Sequence, residues 1–318
     1  MYSSEVTLLR DTFRRLLRRH AKTNIVKLID KTHPSDLALI FRYFNDVEQD
    51  SIFSNMLASE ETVKFLYELD ESIATRLIEN ETPERLAKIM EQASSNEQVF
   101  LMGLVSDQFA TSVIDLLQAE EQEELEEMMA YPEDSAGILM YTDVFTLHEE
   151  TKAREAIYAL QDQEDAEMVF YLYTLDDDGS LTGVISLRDL VTTPGETMLK
   201  DIMSKNIQAV RPETDQEEVA RIVSQYNFLA VPVVDADEKL LGIVTVDSVV
   251  DVIREEATED FLQLAGAGKD REILLKSSWE NARIRLPWLF ASWVGGILAA
   301  FIIGIFNHIL ESVTALAA

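Results

Sequence analysis

Two stretches of this chain, residues 139–192 and 202–251, carry one pattern, and a sequence that repeats at this period folds each copy as the same unit. LMYTDVFTL and IMSKNIQAV open the copies, and LTGVISLRDL and LLGIVTVDSV close them. Met140 and Met203 stand 63 positions apart, Gly183 and Gly242 59 apart. Each copy reads as a short strand, an amphipathic helix (151–161; 214–225), a buried strand (167–175; 229–234), a turn, a further strand and a second helix. The turns are Asp176-Asp177-Asp178-Gly179 and Asp235-Ala236-Asp237-Glu238, polar runs between β-branched segments. The first lacks the alternating acids and distal Glu of a calcium loop, so it reads as a plain turn.

A strand, helix, strand, strand, helix unit in tandem resembles a pair of cystathionine-β-synthase (CBS) domains, whose closing pattern is Gly, two apolar residues, Thr or Ser, two residues, Asp. The first copy matches in full with Gly183-Val184-Ile185-Ser186-Leu187-Arg188-Asp189. In that family the hydroxyl and the Asp contact the ribose of an adenine nucleotide. The resemblance therefore makes Ser186, Arg188 and Asp189 the candidate nucleotide-binding residues, for ATP or another adenine nucleotide. Ser186 reads equally as the N-cap of the helix that follows. The second copy has Gly242-Ile243-Val244-Thr245-Val246-Asp247-Ser248, so Ser248 replaces the Asp and the first copy is the better site.

Charge narrows the partners. The 318 residues hold 58 Asp and Glu against 27 Lys and Arg, a formal charge of −31; such a surface is repelled by phosphate, which argues against nucleic acid and favours cations. Apolar residues make up 47%, enough to build cores, so the chain is not a disordered acidic tail. Residues 1–22 carry +4, residues 283–318 carry +1, and the 260 residues between them carry −36. No Lys or Arg occurs between Lys88 and Lys152, whereas fifteen acids do, among them Glu120, Glu121, Glu123, Glu124, Glu126 and Glu127. In the closing helix of the second copy, Asp247, Asp251, Glu255 and Glu259 follow one another at i, i+4 spacing in a single line, with Glu256 and Asp260 alongside and Arg254 nearby. Each like-charge pair costs a helix about 0.2–0.5 kcal/mol. The line reads either as a solvated face or as a ligand set for a hard divalent cation such as Mg²⁺. The absence of cysteine removes disulfides and thiolate chemistry and agrees with a reducing compartment.

Residues 286–306, LPWLFASWVGGILAAFIIGIF, are 21 positions without a charge, long enough at about 1.5 Å per residue to cross a bilayer core of about 30 Å. Pro287 suits a first turn, Trp288 and Trp293 suit the interface, and Arg283 and Arg285 precede the span. The positive-inside rule then places residues 1–285 in the cytoplasm, tethered to the cell's inner (plasma) membrane. Ser292, Gly296, Ala300 and Gly304, with Ala291, Gly295 and Ala299 beside them, give the span a small-residue face suited to packing on another helix. The opening MYSSEVTLLRDTFRR has no apolar core of a secretory signal.

Residues 4–130 read as eight to ten short amphipathic helices, such as HPSDLALIFRYF, DESIATRLIEN and TPERLAKIMEQ, in a solenoid or superhelix. The basic first helix reads as a solvated face, or one paired with the acidic segments, or as a lipid contact. Catalytic motifs fail: Asp270 follows Gly266-Ala267-Gly268-Lys269 where a phosphate loop needs Ser or Thr, and His148-Glu149 meets Lys152 where a zinc protease needs His. The chain is not expected to be an enzyme.

The order of these parts resembles the MgtE magnesium transporters over essentially the whole chain. The likeness runs through the helical segment, YPEDSAG (131–137), TDQEEVARIV (214–223), VPVVD (231–235), GIVTVDSVVDVIREEATEDF (242–261) and ESVTALA (311–317). It implies a multidomain chain: an all-α superhelical N-terminal domain (1–130), an α/β tandem CBS pair (131–200 and 201–260), a connecting or plug helix (261–285) and one transmembrane α-helix (286–310). It further implies a homodimeric Mg²⁺ sensor that gates a pore of five spans per subunit, whose later spans and conduction residues lie beyond these 318 residues. Carried over by position, the regulatory carboxylates are Asp215, Glu217, Asp251, Glu256, Glu259 and Asp260, with Asp247 and Glu255 added from the helical line. Two positions depart from the family: Ser248 stands where members often have a second Asp, and Asn227 where an Asp often follows Tyr. At low Mg²⁺ the acids would repel and loosen the helical domain from the CBS pair, and at high Mg²⁺ the ions would bridge them. The alternative is a membrane-tethered adenine-nucleotide sensor without transport activity.

Overall fold

The computed structural model describes residues 3–57, 59, 61–162, 170–264, 286–287 and 289–304; the side chains of residues 3–5, 259 and 261–264 lie outside that description. The chain forms two compact units, residues 1–250 and 251–318.

Ten described helices fill the first 130 residues: α1 (Ser3–Arg18), α2 (Lys22–Ile29), α3 (Pro34–Phe41), α4 (Asp46–Met56), α5 (Thr62–Tyr67), α6 (Glu71–Glu79), α7 (Pro83–Met90), α8 (Ser95–Gly103), α9 (Asp107–Ile114) and α10 (Ala119–Met129). Local chemistry starts them. Pro34 and Pro83 occupy first turns, where the missing N–H costs nothing. Before α4, Asn45 Oδ1 accepts from the Glu48 N–H at 2.9 Å while Glu48 Oε2 accepts from the Asn45 N–H at 3.2 Å, a reciprocal cap. Helices this short are not stable alone, and they gain stability by packing on one another, often on the helix two places on: α1 on α3, α2 on α4, α3 on α5, α5 on α7, α7 on α9, and α8 on α10. Phe41 anchors the early part of this stack, meeting Phe65 edge-on at 5.0 Å and Phe44 at 6.3 Å.

The repeat begins with α11 (Ala136–Leu139). The first copy continues through β1 (Thr146–His148), α12 (Ala153–Asp162), β2 (Tyr171–Leu175), β3 (Leu181–Ser186) and α13 (Leu187–Thr192). The second follows a 3₁₀ turn (Leu199–Asp201) with α14 (Gln216–Tyr226), β4 (Ala230–Val234), β5 (Leu240–Thr245) and α15 (Val246–Leu264). In the first sheet β2 lies between parallel β1 and antiparallel β3; in the second β4 and β5 are antiparallel. The expected opening strand of the second copy is reduced to one parallel bridge, Val210 to Val233, because Pro212 has no N–H with which to extend it. Helices α12 and α14 start two residues later than their patterns predict, since Lys152 and Asp215 are spent in the turns before them. The change of offset from 63 to 59 falls between α12 and β2, a connection whose residues 163–169 lie outside the described ones.

The copies exchange their opening segments. Tyr141 pairs with Ile243 of the second copy, and Ser204, its counterpart, pairs with Val184 of the first. The same reciprocity joins Ser135 to Asp215 and Lys152 to Met198, and the two hairpin turns meet at Ser180 and Lys239. Gly183 and Gly242 make this approach possible. A Cβ on Gly183 would lie 2.4 Å from Met203 Sδ, and one on Gly242 would lie 2.5 Å from the Tyr141 carbonyl oxygen. At the junction of the two sheets Tyr173 packs with Ala230 and Ile243, and its buried hydroxyl has no partner among the described residues.

Within the second unit residues 289–304 are helical and exposed throughout. Among the described residues no helix is long and apolar enough to cross a membrane. Of the connecting or plug helix expected over 261–285, residues 261–264 form the end of α15 and residues 265–285 lie outside the described residues.

Three substitutions test this packing. Gly242→Ala meets backbone and is expected to lower the urea-unfolding free energy of the CBS pair by about 2–3 kcal/mol, more than Gly183→Ala, which meets the yielding side chain of Met203. Tyr173→Phe removes an unpaired buried hydroxyl and is expected to leave that stability unchanged or raise it.

Candidate functional site

The acid-rich helix α10 places Glu120, Glu123, Glu124 and Glu127 at i, i+3, i+4 and i+7, on one face. That face lines an open groove of about 320 Å³, completed by Met128, Tyr131, Met140, Thr142 and Leu241. One wall is therefore the last helix of the N-terminal stack and the other is the exchanged opening segment of the CBS pair together with β5. None of these lining residues is basic. The groove offers carboxylate and hydroxyl oxygens, the donor set of a hard divalent cation.

Polar contacts hold the seam beneath it. Ser95, at the head of α8, donates through Oγ to Glu124 Oε1 at 3.1 Å, and Thr142 donates to the same carboxylate oxygen and meets Ser95 Oγ. Beside Thr142, Tyr141 is half-buried. Burial pushes its phenol up, the polar side chains of Asn96 and Ser248 act in the opposite sense, and the charge of Asp247 adds to the rise. Tyr131 at the groove edge is likewise pushed up, first by burial and then by the charge of Glu127.

The residues expected to hold Mg²⁺ are placed as follows. Asp215 is the N-cap of α14, its Oδ1 accepting from the Glu217 N–H at 2.9 Å. Asp247, Asp251, Glu255, Glu256 and Asp260 all lie on α15, with Arg254 3.4 Å from Asp251, and Glu259 lies on the same helix with its side chain outside the described set. Among the described residues no three His, Asp or Glu side chains converge on a point. Helical i, i+4 spacing accounts for part of this, since it keeps Cβ atoms about 5–6 Å apart.

The two closing motifs differ. In the first copy Ser186 Oγ accepts from the Asp189 N–H at 3.1 Å and donates to Asp189 Oδ2 at 2.6 Å, so Ser186 is the N-cap of α13. Asp189 and Arg188 are exposed there. A hydroxyl and a carboxylate side by side at the surface suit the two hydroxyls of a ribose. In the second copy Thr245 and Ser248 are buried and in contact at 3.3 Å, and Ser248 brings no carboxylate, so this motif does not fit a ribose in the same way.

Comparison with known proteins bears on both sites. Residues 32–134 match the MgtE intracellular N domain, and residues 136–195 and 199–255 each match a CBS domain. A magnesium transporter MgtE of Bacillus subtilis is 30% identical over 303 residues, which is 95% of this chain and 67% of that protein. The chain belongs to the MgtE family. The MgtE of Enterococcus faecalis is 38% identical over 200 residues, 63% of this chain and 44% of its own length, so the chain spans less than half of that relative. Among solved structures, the cytosolic domain of the Mg²⁺ channel MgtE in complex with ATP is 30% identical with a TM-score of 0.72, covering 76% of this chain and 99% of that one.

Against the MgtE pattern, both departures have structural work. Asn227 ends α14 in the left-handed region at φ 53°, a conformation Asn tolerates better than most residues. Ser248 fills a buried place against Thr245 where a carboxylate would lose its hydration. The groove glutamates were visible in the sequence only as a run of charge without cations; their i, i+3, i+4, i+7 spacing is the signal that singles out Glu120, Glu123, Glu124 and Glu127. The cap predicts that Ser186→Ala lowers unfolding free energy by about 1 kcal/mol in urea denaturation.

Proposed function

We propose that this chain is the Mg²⁺-sensing and gating region of an MgtE-type magnesium transporter, a non-enzymatic regulator. In this reading residues 286–306 form its first membrane span, residues 1–285 are cytoplasmic and two copies pair. The observation that carries the reading is where the uncompensated acid lies: four glutamates of α10 face the CBS pair across a groove lined by no basic residue. Family membership and the 21 uncharged residues support it.

The physics is differential affinity. With the groove empty of cations, the α10 carboxylates repel one another. A divalent cation lowers that repulsion most when the helical stack is docked on the CBS pair, so it shifts the equilibrium toward the docked state. Because the described carboxylates do not converge, Mg²⁺ would keep most of its water and bridge through it, in keeping with its reluctance to dehydrate. The line Asp247, Asp251, Glu255 and Glu259 on α15, with Glu256 and Asp260, and Asp215 and Glu217 at the head of α14, would extend the same response toward the membrane segment.

An adenine nucleotide is the second ligand. Ser186 and Asp189 would hold the ribose, with Arg188 beside them for phosphate, as the exposed pairing at the head of α13 suggests. A relative's cytosolic domain has been solved with ATP.

Both parts are open to test. Glu120→Gln with Glu124→Gln, or Asp251→Asn with Glu259→Gln, is expected to raise severalfold the Mg²⁺ concentration that protects the chain from limited proteolysis. Unchanged protection in both would contradict the sensing role. Asp189→Asn is expected to weaken ATP binding in calorimetry at least tenfold, the scale of a lost hydrogen bond to a charged group, and to leave the Mg²⁺ response in place.

A further inference from the structure

The basic first helices play no part in sensing as described above. Between Arg15 and Lys31 the chain holds Arg15, Arg18, Arg19, Lys22, Lys27 and Lys31 against one acid, Asp30, in a protein of formal charge −31. All six cations are exposed, and none is held by an ion pair or a side-chain hydrogen bond among the described residues. The other basic residues of α1 are engaged: Arg10 meets Asp11 at 2.8 Å, and Arg14 donates to the Tyr43 carbonyl oxygen at 2.6 Å and lies 3.5 Å from Glu48. Helices α1 and α2 open the stack by packing on α3 and α4, whereas α10, which faces the acidic groove, closes it. The basic face and the groove therefore belong to the two ends of one series of packed helices.

Helix stability accounts for only part of this charge. Arg15 and Arg18 fall in the last turn of α1, where the macrodipole favours cations. Lys22 is the first residue of α2, whose N-cap Ala21 supplies no side-chain bond and whose first turn holds no acid, so its charge stands at the positive end of that helix. Arg14 with Arg18, and Arg15 with Arg19, are like-charge i, i+4 pairs, which destabilise a helix unless something outside it relieves them. Apolar groups accompany the cations. Leu8, Arg15 and Arg19 follow at i, i+7 and i+11 on one line of α1, and Leu8 is 70% exposed there. Val26 on α2 is exposed, as are Tyr43 and Val47, which flank the partners of Arg14. A basic face set with single exposed apolar side chains suits a surface of anionic headgroups above acyl chains, and Tyr suits that interface. The chain's own acids are largely committed elsewhere: the α10 glutamates line the groove, Glu150 and Glu196 are held by Lys200, Lys152 and Arg154, and the α15 line belongs to the Mg²⁺ response proposed above.

We propose that the exposed face of α1 and α2 is a docking surface for the anionic lipid headgroups of the membrane that residues 286–306 cross in the reading above. The inference rests on that span, which keeps the face close to a leaflet at all times. The strongly acidic remainder of the chain is repelled by the same leaflet, so an anionic surface accepts the stack by this end. Each Lys or Arg held at such a surface strengthens association about fivefold, and several acting together need no shaped pocket.

The chain has no cysteine, so Thr23→Cys on α2 carries a single donor dye, and headgroup-labelled lipid supplies the acceptor. The full 318-residue chain is inserted into nanodiscs of phosphatidylcholine alone, or of phosphatidylcholine mixed with phosphatidylglycerol, at one ionic strength and without divalent cations. Energy transfer is expected to be higher in the anionic discs. Arg15→Gln with Arg19→Gln is expected to lower the ratio of docked to free stack at least tenfold, the product of two contributions of about fivefold each. Arg15→Lys with Arg19→Lys keeps the charge and is expected to retain the transfer. Lys88→Gln with Lys239→Gln removes the same charge from exposed positions elsewhere and is expected to leave the transfer unchanged. Equal transfer in neutral and anionic discs, or an equal loss in the Lys88 and Lys239 variant, overturns the lipid contact and leaves the span standing. Loss in the Arg15→Gln and Arg19→Gln variant of transfer between two labelled copies in one disc, with lipid transfer the same in both discs, assigns the face to an acidic second copy and overturns the proposal as well. A chain that does not insert overturns both the span and the contact.

Discussion

The structure depends on the reciprocal pairing of each CBS copy's opening segment with the other copy's last strand. Tyr141 with Ile243 and Ser204 with Val184 are the same contact made twice, and they turn two similar units into one body. Each pairing runs past a glycine, and Met140 and Met203 close over Gly242 and Gly183 in matching fashion. Because the first opening segment is held this way, Tyr141 and Thr142 are presented to the helical stack at a fixed place. The acidic groove and the polar seam are therefore consequences of the exchange.

Charge is the second organising quantity. Most ion pairs in the described residues are exposed and contribute little to stability, as with Lys152 and Arg154 around Glu196, where the neighbouring cations depress the carboxylate's pKa. The run from Glu120 to Glu127 has no such cation within the sequence around it. A fold that gathers like charge at the junction of two domains stores a repulsion that only mobile ions can relieve, and divalent ions relieve it better than monovalent ones. That gives the chain a physical means of responding to Mg²⁺ without a preformed cage of ligands.

Much of this was legible in the sequence. The repeat, the turns and the short capped helices of the first 130 residues follow from hydrophobic period and capping residues, and ten helices are found where eight to ten were expected. Ser186 was readable as a cap because its spacing to Asp189 is local. What the sequence hid is non-local. The exchange of opening segments joins residues about 100 positions apart, such as Tyr141 and Ile243, and no periodicity records it. Val210 looked like the end of a strand, and only the missing N–H of Pro212 reduces it to a bridge. Ser248 and Asn227 stood out in the sequence only as departures from a family pattern; in the fold Ser248 is buried against Thr245 and Asn227 ends α14 in the left-handed region, which no local pattern announced. The groove glutamates were counted as charge but could not be given an opposite wall until α10 was seen against Thr142 and Leu241.

The central claim is that a divalent cation, through its charge and not through ionic strength, closes the helical stack onto the CBS pair. Small-angle X-ray scattering of the chain in nanodiscs with matched-out lipid contrast, in MgCl₂ and in NaCl of equal ionic strength, measures this directly. The account predicts a contraction of the protein's radius of gyration that saturates with MgCl₂ and is absent or much weaker in NaCl. The same contraction in both salts, or none in MgCl₂, would contradict it.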